Sequence, residues 1–365
     1  MSKRLVSSKF VSGLALAFAV SMASTEVSAT GGGSGTGRVA GDAYGVLVDL
    51  HALLGLIGVR VGPAPLAILP ETGGADAEVL LGLSVPGVLG SQTLPAMTAG
   101  SVGPEKAGSA SVAAVENLDL LGGLIRADAI VAACSSHSDG RVAVSDTSGS
   151  VLANLLVGGL PITVAAAPNT TIPLLDGFLK IGDIVLNEQI YAGDGVKTSA
   201  VQVNMLHVRI KDGGVLLSGA LLKGDIVVGS AHCGVDASQL SGEPGGDPSI
   251  TGSGTLGAGP EELATFAFSA KAGVGALQYD DGGANLKIES ENPSLTSFTV
   301  SGTCAQFSGP ARINNMSGYT YTVEACDNAD PGVNGDTFTI TGAGPGGFQF
   351  TRTGTLTGGN ILLNN

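Results

Sequence analysis

Glycine recurs every few residues along most of this chain, 58 in 365, and the stretches it leaves are short and β-branched. Residues 44–50 (YGVLVDL), 124–132 (LIRADAIVA), 178–186 (FLKIGDIVL) and 201–210 (VQVNMLHVRI) are such stretches. Glycine in a helix interior costs about 1 kcal/mol against alanine, whereas valine and isoleucine suit a pleated surface. The pattern therefore predicts an all-β protein, with helix confined to a short turn near 105–106 or 236–240. Further on, runs at 263–268, 276–279, 285–289, 297–300, 319–323, 337–340 and 348–351 alternate and turn about every ten residues, the rhythm of a meander in a sandwich or small barrel. Aromatics are 4% and Trp is absent, so the core must be built mainly from Val, Leu, Ile and Ala.

Two low-complexity stretches divide the chain. Residues 30–40 (TGGGSGTGRVA) form a flexible lead, and 241–260 (SGEPGGDPSITGSGTLGAGP) have the composition of a linker. The expected organisation is a first β domain over 41–240 and a second over 261–365. Within the first, 120–134 and 216–233 look alike: an apolar entry, a basic residue, an Asp, a β-branched pair and a closing Cys. They read as equivalent strands, neighbours in one sheet.

The amino terminus addresses the chain outward. Lys3, Arg4 and Lys9 precede an apolar run over 10–22, and Val27-Ser28-Ala29 places small residues where a signal peptidase reads. About 13 apolar residues are too few to span a bilayer, which needs roughly 20. Residues 1–29 are thus expected to be a cleaved signal peptide. The chain closes on Leu363-Asn364-Asn365 without a hydrophobic tail, so an extracellular or cell-surface location without a membrane span is expected. Net charge is −14, and loss of the signal makes it two units more negative. That balance opposes nucleic acid and anionic lipid as partners, both of which demand a basic footprint.

Export gives the four cysteines an oxidising compartment, where an even count reads as a disulfide framework with three connectivities. The domain boundary favours Cys134 with Cys233 and Cys304 with Cys326. A rival is a transition-metal site, since His137 and His232 accompany the first two cysteines. Adjacent side chains on a strand point to opposite faces, however, and a disulfide would consume both thiolates. His207 reads as a half-buried strand histidine, and His51 has no evident partner. Calcium is the other metal weighed: Asp327, Asn328, Asp330 and Asp336 gather oxygens in ten residues. Their spacing fails the EF-hand pattern, and Asp and Asn around Pro-Gly build turns without an ion. No cofactor is therefore expected. Asp280-Asp281-Gly-Gly is a hairpin signal, and Lys287, Glu289 and Glu291 share what reads as a solvated edge.

GDAYGVLVDL, LLGGLIRADAIVAACSS, PNTTIPLLDG, LNEQ and VNMLHVRI resemble the choice-of-anchor P family of exported bacterial proteins. From about 261, FAFSAKAG, GALQYDDGG, CAQFSGPARINN, DPGVNGDTFTI and GTLTGGNILLNN resemble the small β domain that often follows it. The resemblance implies a surface-exposed protein with no established biochemical activity.

Motifs with chemistry are decoys by context. LPETG at 69–73 spells a sortase signal, yet nearly 300 residues follow it. Gly252-x-Gly254-x-x-Gly257 and Gly342-x-Gly344-x-x-Gly347 match a dinucleotide fingerprint by letters, without the strand-to-helix setting it needs. The expectation is a non-catalytic structural or interaction module with an unknown surface or matrix partner. A binding module for glycan or another small ligand stands second, and a hydrolase using an acidic pair third.

Overall fold

The computed structural model describes residues 37–364 apart from 53–57, 163–166, 177–178, 212–215, 218–219, 241–246 and 258–261. The expected signal peptide and most of the flexible lead lie outside the described residues. What is described is all-β: the one helical element is a single 3-10 turn at Pro345–Gly347. Neither segment considered for helix is one: Glu105 lies in a bend, and Asp236 ends a strand that is followed by a turn at 238–239. No helix among the described residues is long and apolar enough to cross a membrane.

Three antiparallel sheets carry the chain. The front sheet runs Thr170–Asp176, Leu179–Gly193, Thr198–Ile210, Ala220–Asp236, Arg38–Ala52, Gly58–Ile68. Its outer strand contains Pro173, whose missing N–H suits an edge position. The middle sheet is built on Gly73–Leu80, Leu94–Val102, Ala107–Leu120 and Ile125–Ser138, with short strands attached. The back sheet runs from Phe348–Thr355 through Thr337–Gly344, Met316–Cys326, Cys304–Ile313, Leu286–Ser290, Val274–Asp281, Ala264–Lys271 and Ser249–Leu256 to Gly358–Asn364. In each half the opening strand pairs with the closing one: Arg38 with Asp236 in the front sheet, Ser249 with Asn364 in the back.

Front and middle sheets face each other as a sandwich. One end is filled by Val46, Val48, Leu50, Leu94, Ile125, Ile130, Leu206 and Ile226. The other end is tight, with Ala43, Ala67, Ala96 and Ala113 in contact. There the Ser109 hydroxyl donates to the Gly234 carbonyl (3.1 Å) and Ser111 to the His232 carbonyl (2.9 Å), both across the sheets. The back sheet has its own core of rings, Phe266, Phe268, Tyr279, Phe307, Tyr321 and Phe338. Phe266 stacks on Phe338 at 4.0 Å although four strands of the sheet lie between theirs, so the sheet is curled into a half-barrel.

The middle sheet serves both halves. Its second face packs on the back sheet through Val112, Ala114, Val131 and Ala133 against Leu263, and Ala75, Met97 and Ala99 against Ala267. Leu94–Val102 and Ala107–Leu120 are accordingly buried almost residue after residue, as strands covered on both faces must be.

Four expectations are corrected. Residues 249–256 of the expected linker form a central strand of the back sheet, and 38–40 of the lead belong to the first strand. The look-alike strands are not neighbours: Ile125–Ser138 lies in the middle sheet and Ala220–Asp236 in the front. Strand Leu286–Ser290, read as an edge, is interior to its sheet. The glycine triplets, by contrast, open no α-helix, as expected: Gly252 and Gly254 sit within a strand, as does Gly342, with Gly344 at its end.

Candidate functional site on the front sheet

The cysteines pair Cys134–Cys233 and Cys304–Cys326. The first bridge joins the two sheets of the sandwich and the second joins register partners on adjacent strands. With Cys134 and Cys233 turned into the core, their histidines point away on opposite outer sides. His137 faces the back sheet, 3.9 Å from Asp330, while His232 sits on the outer front face, 3.1 Å from Asp42. The two candidate ligands are not brought together. Among the described residues no group of three His, Cys, Asp or Glu side chains converges as metal ligands.

The oxygens of the 327–336 loop are drawn into the fold. Asp336 is fully buried and accepts N–H groups of Asn328 (2.8 Å), Ala329 (3.0 Å) and Ile361 (2.8 Å). Asp327 accepts from Leu363 N–H (2.8 Å) and faces Lys106, and Asp330 accepts from Asn360. Asn328 accepts from Thr303. Burial pushes the Asp327 carboxyl up and the Asp336 carboxyl up to about 6.

The densest polar arrangement lies elsewhere. Along Ala220–Asp236 the core-facing residues are Ile226 and Val228, then Ala231 and Cys233. The alternation therefore slips by one at Gly229, whose φ is 65°. A Cβ there would meet Ile130 at 2.9 Å, so both backbone conformation and space demand glycine. The same slip occurs between Met205 and Leu206 on the neighbouring strand, which both face the core, and beside Asn187 (φ 49°) on the next. Ladder partners persist on either side, Asn204 with Ser230 and Leu206 with Val228. On the outer face the slip gathers polar groups, Asn204 and His207 among them, that strict alternation would place on opposite faces.

Glu188, 9% exposed, is the hub of this group. Its Oε2 accepts from Asn204 Nδ2 (2.9 Å) and lies 2.8 Å from His207 Nδ1, and its Oε1 pairs with Arg209. His207 Nε2 is 3.1 Å from Asp225 Oδ1. Asn204 Oδ1 accepts from the buried Ser230 hydroxyl (2.8 Å), which also bonds Tyr44. Burial pushes the Glu188 carboxyl up, but Asn204, His207 and Arg209 outweigh it and hold it below the usual carboxylate range. One row on are Asp42, His232, Gln202 and Ile190. Beyond them Ala40, Gly234 and Ala200 line an open depression of about 360 Å³ rimmed by Arg38, Glu71 and Asp236.

His207 was expected to be a half-buried strand histidine and is one, but its two carboxylate partners were not foreseen. Nor were Glu188, Asn204, Ser230 and Tyr44. The available signal was their polarity inside otherwise apolar runs. His51, without an evident partner in sequence, lies 3.4 Å from Asp49. No family model, curated protein or solved structure matches the chain.

Proposed function

We propose that this chain is a non-catalytic exported protein, acting as a structural or interaction module at or beyond the cell surface. The observation that carries the reading is the outer face of the front sheet. There Glu188, Asn204, His207, Asp42 and His232 are fixed by mutual hydrogen bonds in consecutive rows of four strands. Polar groups held in one arrangement lose little entropy on meeting a partner, which is what a recognition surface needs. Two disulfides suit an oxidising compartment. The resemblance to choice-of-anchor P proteins points the same way. A small-ligand module is the second reading, favoured by the depression beside Ala40, Gly234 and Ala200.

The test is a pull-down with the mature protein on the envelope and medium of the cells that export it. Two variants accompany it: Asp42→Ala with His232→Ala on the front face, and Thr339→Ala with Thr353→Ala on the back sheet. A retained partner lost only with the front-face variant supports the reading. Equal retention by both, or turnover of an envelope component by the purified protein, sinks it.

A further inference from the structure

A sheet edge offers unpaired N–H and C=O groups to any strand that meets it, and natural edges are blunted by charge, proline, shortness or cover. Most edges of this molecule are treated so. In the front sheet, Thr170–Asp176 carries Pro173, and Gly58–Ile68 carries Pro63 and Pro65. In the middle sheet, Gly73–Leu80 carries Asp76 and Glu78. In the back sheet, Gly358–Asn364 is covered: Ile361 N–H donates to Asp336 and Leu363 N–H to Asp327, each at 2.8 Å. The other edge strands run two to five residues. Phe348–Thr355 has none of these devices. It is eight residues long, ends the back sheet, and its only ladder among the described residues is to Thr337–Gly344. It holds no proline and no acid. Its one charge, Arg352, is turned back to its own chain, donating to the Glu262 carbonyl (2.7 Å) beside the buried Asp281.

The inner side chains of this edge are incompletely covered as well. Phe348 and Phe350 lie against the ring core yet stay half-buried, Phe348 edge-on to Tyr319 at 5.5 Å. A further strand beside them extends that cover. We propose that the further strand is the same strand of a second copy: two chains pair Phe348–Thr355 antiparallel about a two-fold axis at Thr351, joining their back sheets into one. A two-fold joint is self-complementary, so it must not oppose like charges. Residues directly opposite each other share a face of the sheet, so the axis passes through a residue and not between two. Centred on Arg352, it would set two guanidinium groups against each other. Centred on Thr351, it uses residues 348–354 of each copy: Gln349 meets Thr353, Phe350 meets Arg352, and Phe348 meets Gly354. A ring beside a guanidinium is attractive, and a ring fills the space that an edge glycine leaves. On the outer face, the ladder rows that reach Gln349, Thr351, Thr353 and Thr355 contain a single charge, Glu324, two strands inward. The negative charge that would drive two copies apart, −14 net, is mostly carried elsewhere on the chain.

The experiment is sedimentation equilibrium of the full mature chain with both disulfides intact, from about 1 μM to 1 mM, the span over which weak specific association shows. The wild type should form a dimer and stop there, because the pairing uses up the edge of both copies. Thr351→Lys sets like charges face to face on the axis and should raise the dimer Kd about fivefold or more. Thr299→Lys makes the same change on Ser297–Ser301, a shorter uncharged edge of the same sheet, and should leave the Kd in place. Thr351→Cys should join the two copies through the introduced thiols, under oxidation or with a short bifunctional maleimide. Opposed residues of antiparallel strands bring their Cα atoms to about 4.5–5.5 Å, within that reach. Peptide mapping identifies the link, and it decides alone if Thr351→Lys fails to fold. A wild type monomeric throughout, a dimer that Thr299→Lys weakens as much as Thr351→Lys, or a folded Thr351→Cys chain that does not join its copy overturns the proposal.

Discussion

Replacing Cys134 and Cys233 together by alanine removes the bridge between the front and middle sheets, and its cost can be worked from its position. The bridge closes 99 residues, and constraint of the unfolded chain by such a loop contributes about 4.7 kcal/mol on the entropic model. Both cysteines are essentially unexposed, and deleting two core sulfur atoms adds about 1 kcal/mol each in lost contacts and residual cavity. The expected loss, about 6–7 kcal/mol, is a large share of the 5–15 kcal/mol that holds a typical fold. The matched comparison is Cys304→Ala with Cys326→Ala. That bridge spans 22 residues, for roughly 3.4 kcal/mol on the same model, and joins residues that the ladder already aligns. Urea unfolding of both double variants, after non-reducing peptide mapping of the parent, gives the two losses directly. The long bridge should cost about one and a half times as much as the short one, where only Cys326 is buried in the core. Equal losses, or a larger one for Cys304 and Cys326, would refute the view that Cys134–Cys233 is the main covalent brace between the two layers.

Two further outcomes follow from the polar groups. Glu188→Ala leaves Asn204 and His207 without their acceptor and should destabilise by about 2–3 kcal/mol at neutral pH. Because the Glu188 carboxyl is held low, its contribution is complete above the ordinary glutamate range and fades as pH falls through the folded value. The gap between wild type and variant should therefore shrink below about pH 4, and a constant gap down to pH 3 contradicts the assignment. For the 327–336 loop, millimolar calcium or a chelator should leave the melting midpoint in place, since backbone N–H groups already engage Asp336. An ion bound only to the folded state at a hundredfold excess over Kd would add about 2.7 kcal/mol, so a rise of several degrees that Asp330→Ala abolishes would show a metal site instead.

The β character and the cysteine pairing were legible because each rests on local signals: β-branched runs between glycines, and a composition change between two cysteine pairs. The shared middle sheet was not. Residues 96–102 (AMTAGSV) and 107–115 (AGSASVAAV) carry small residues on both faces, so no alternation reveals that each face meets a different sheet. Ser109 and Ser111 look like surface residues until front-sheet carbonyls are found accepting their hydroxyl hydrogens. The strand over 249–256 was hidden by a composition that mimics a linker. Its glycines permit close approach instead: a Cβ on Gly254 would lie 2.5 Å from the Gly358 carbonyl oxygen. Glu188, Asn204 and Ser230 come from three strands, and only the register and the slip at Gly229 unite them. Nothing in their local sequence encodes that meeting.

The pairing of first strand with last has a consequence for how the protein is made. A chain made amino terminus first presents Arg38–Ala52 long before Ala220–Asp236, its partner on one side, has been made. For most of that interval Gly58–Ile68 is the one ladder neighbour on offer, and the other edge of the strand stands open. Ser249–Leu256 then waits in the same way for Gly358–Asn364, about a hundred residues further on. Closing such long loops is slow, and apolar edges left open meanwhile invite wrong partners. Each half can therefore lock only when the strand that closes its sheet arrives.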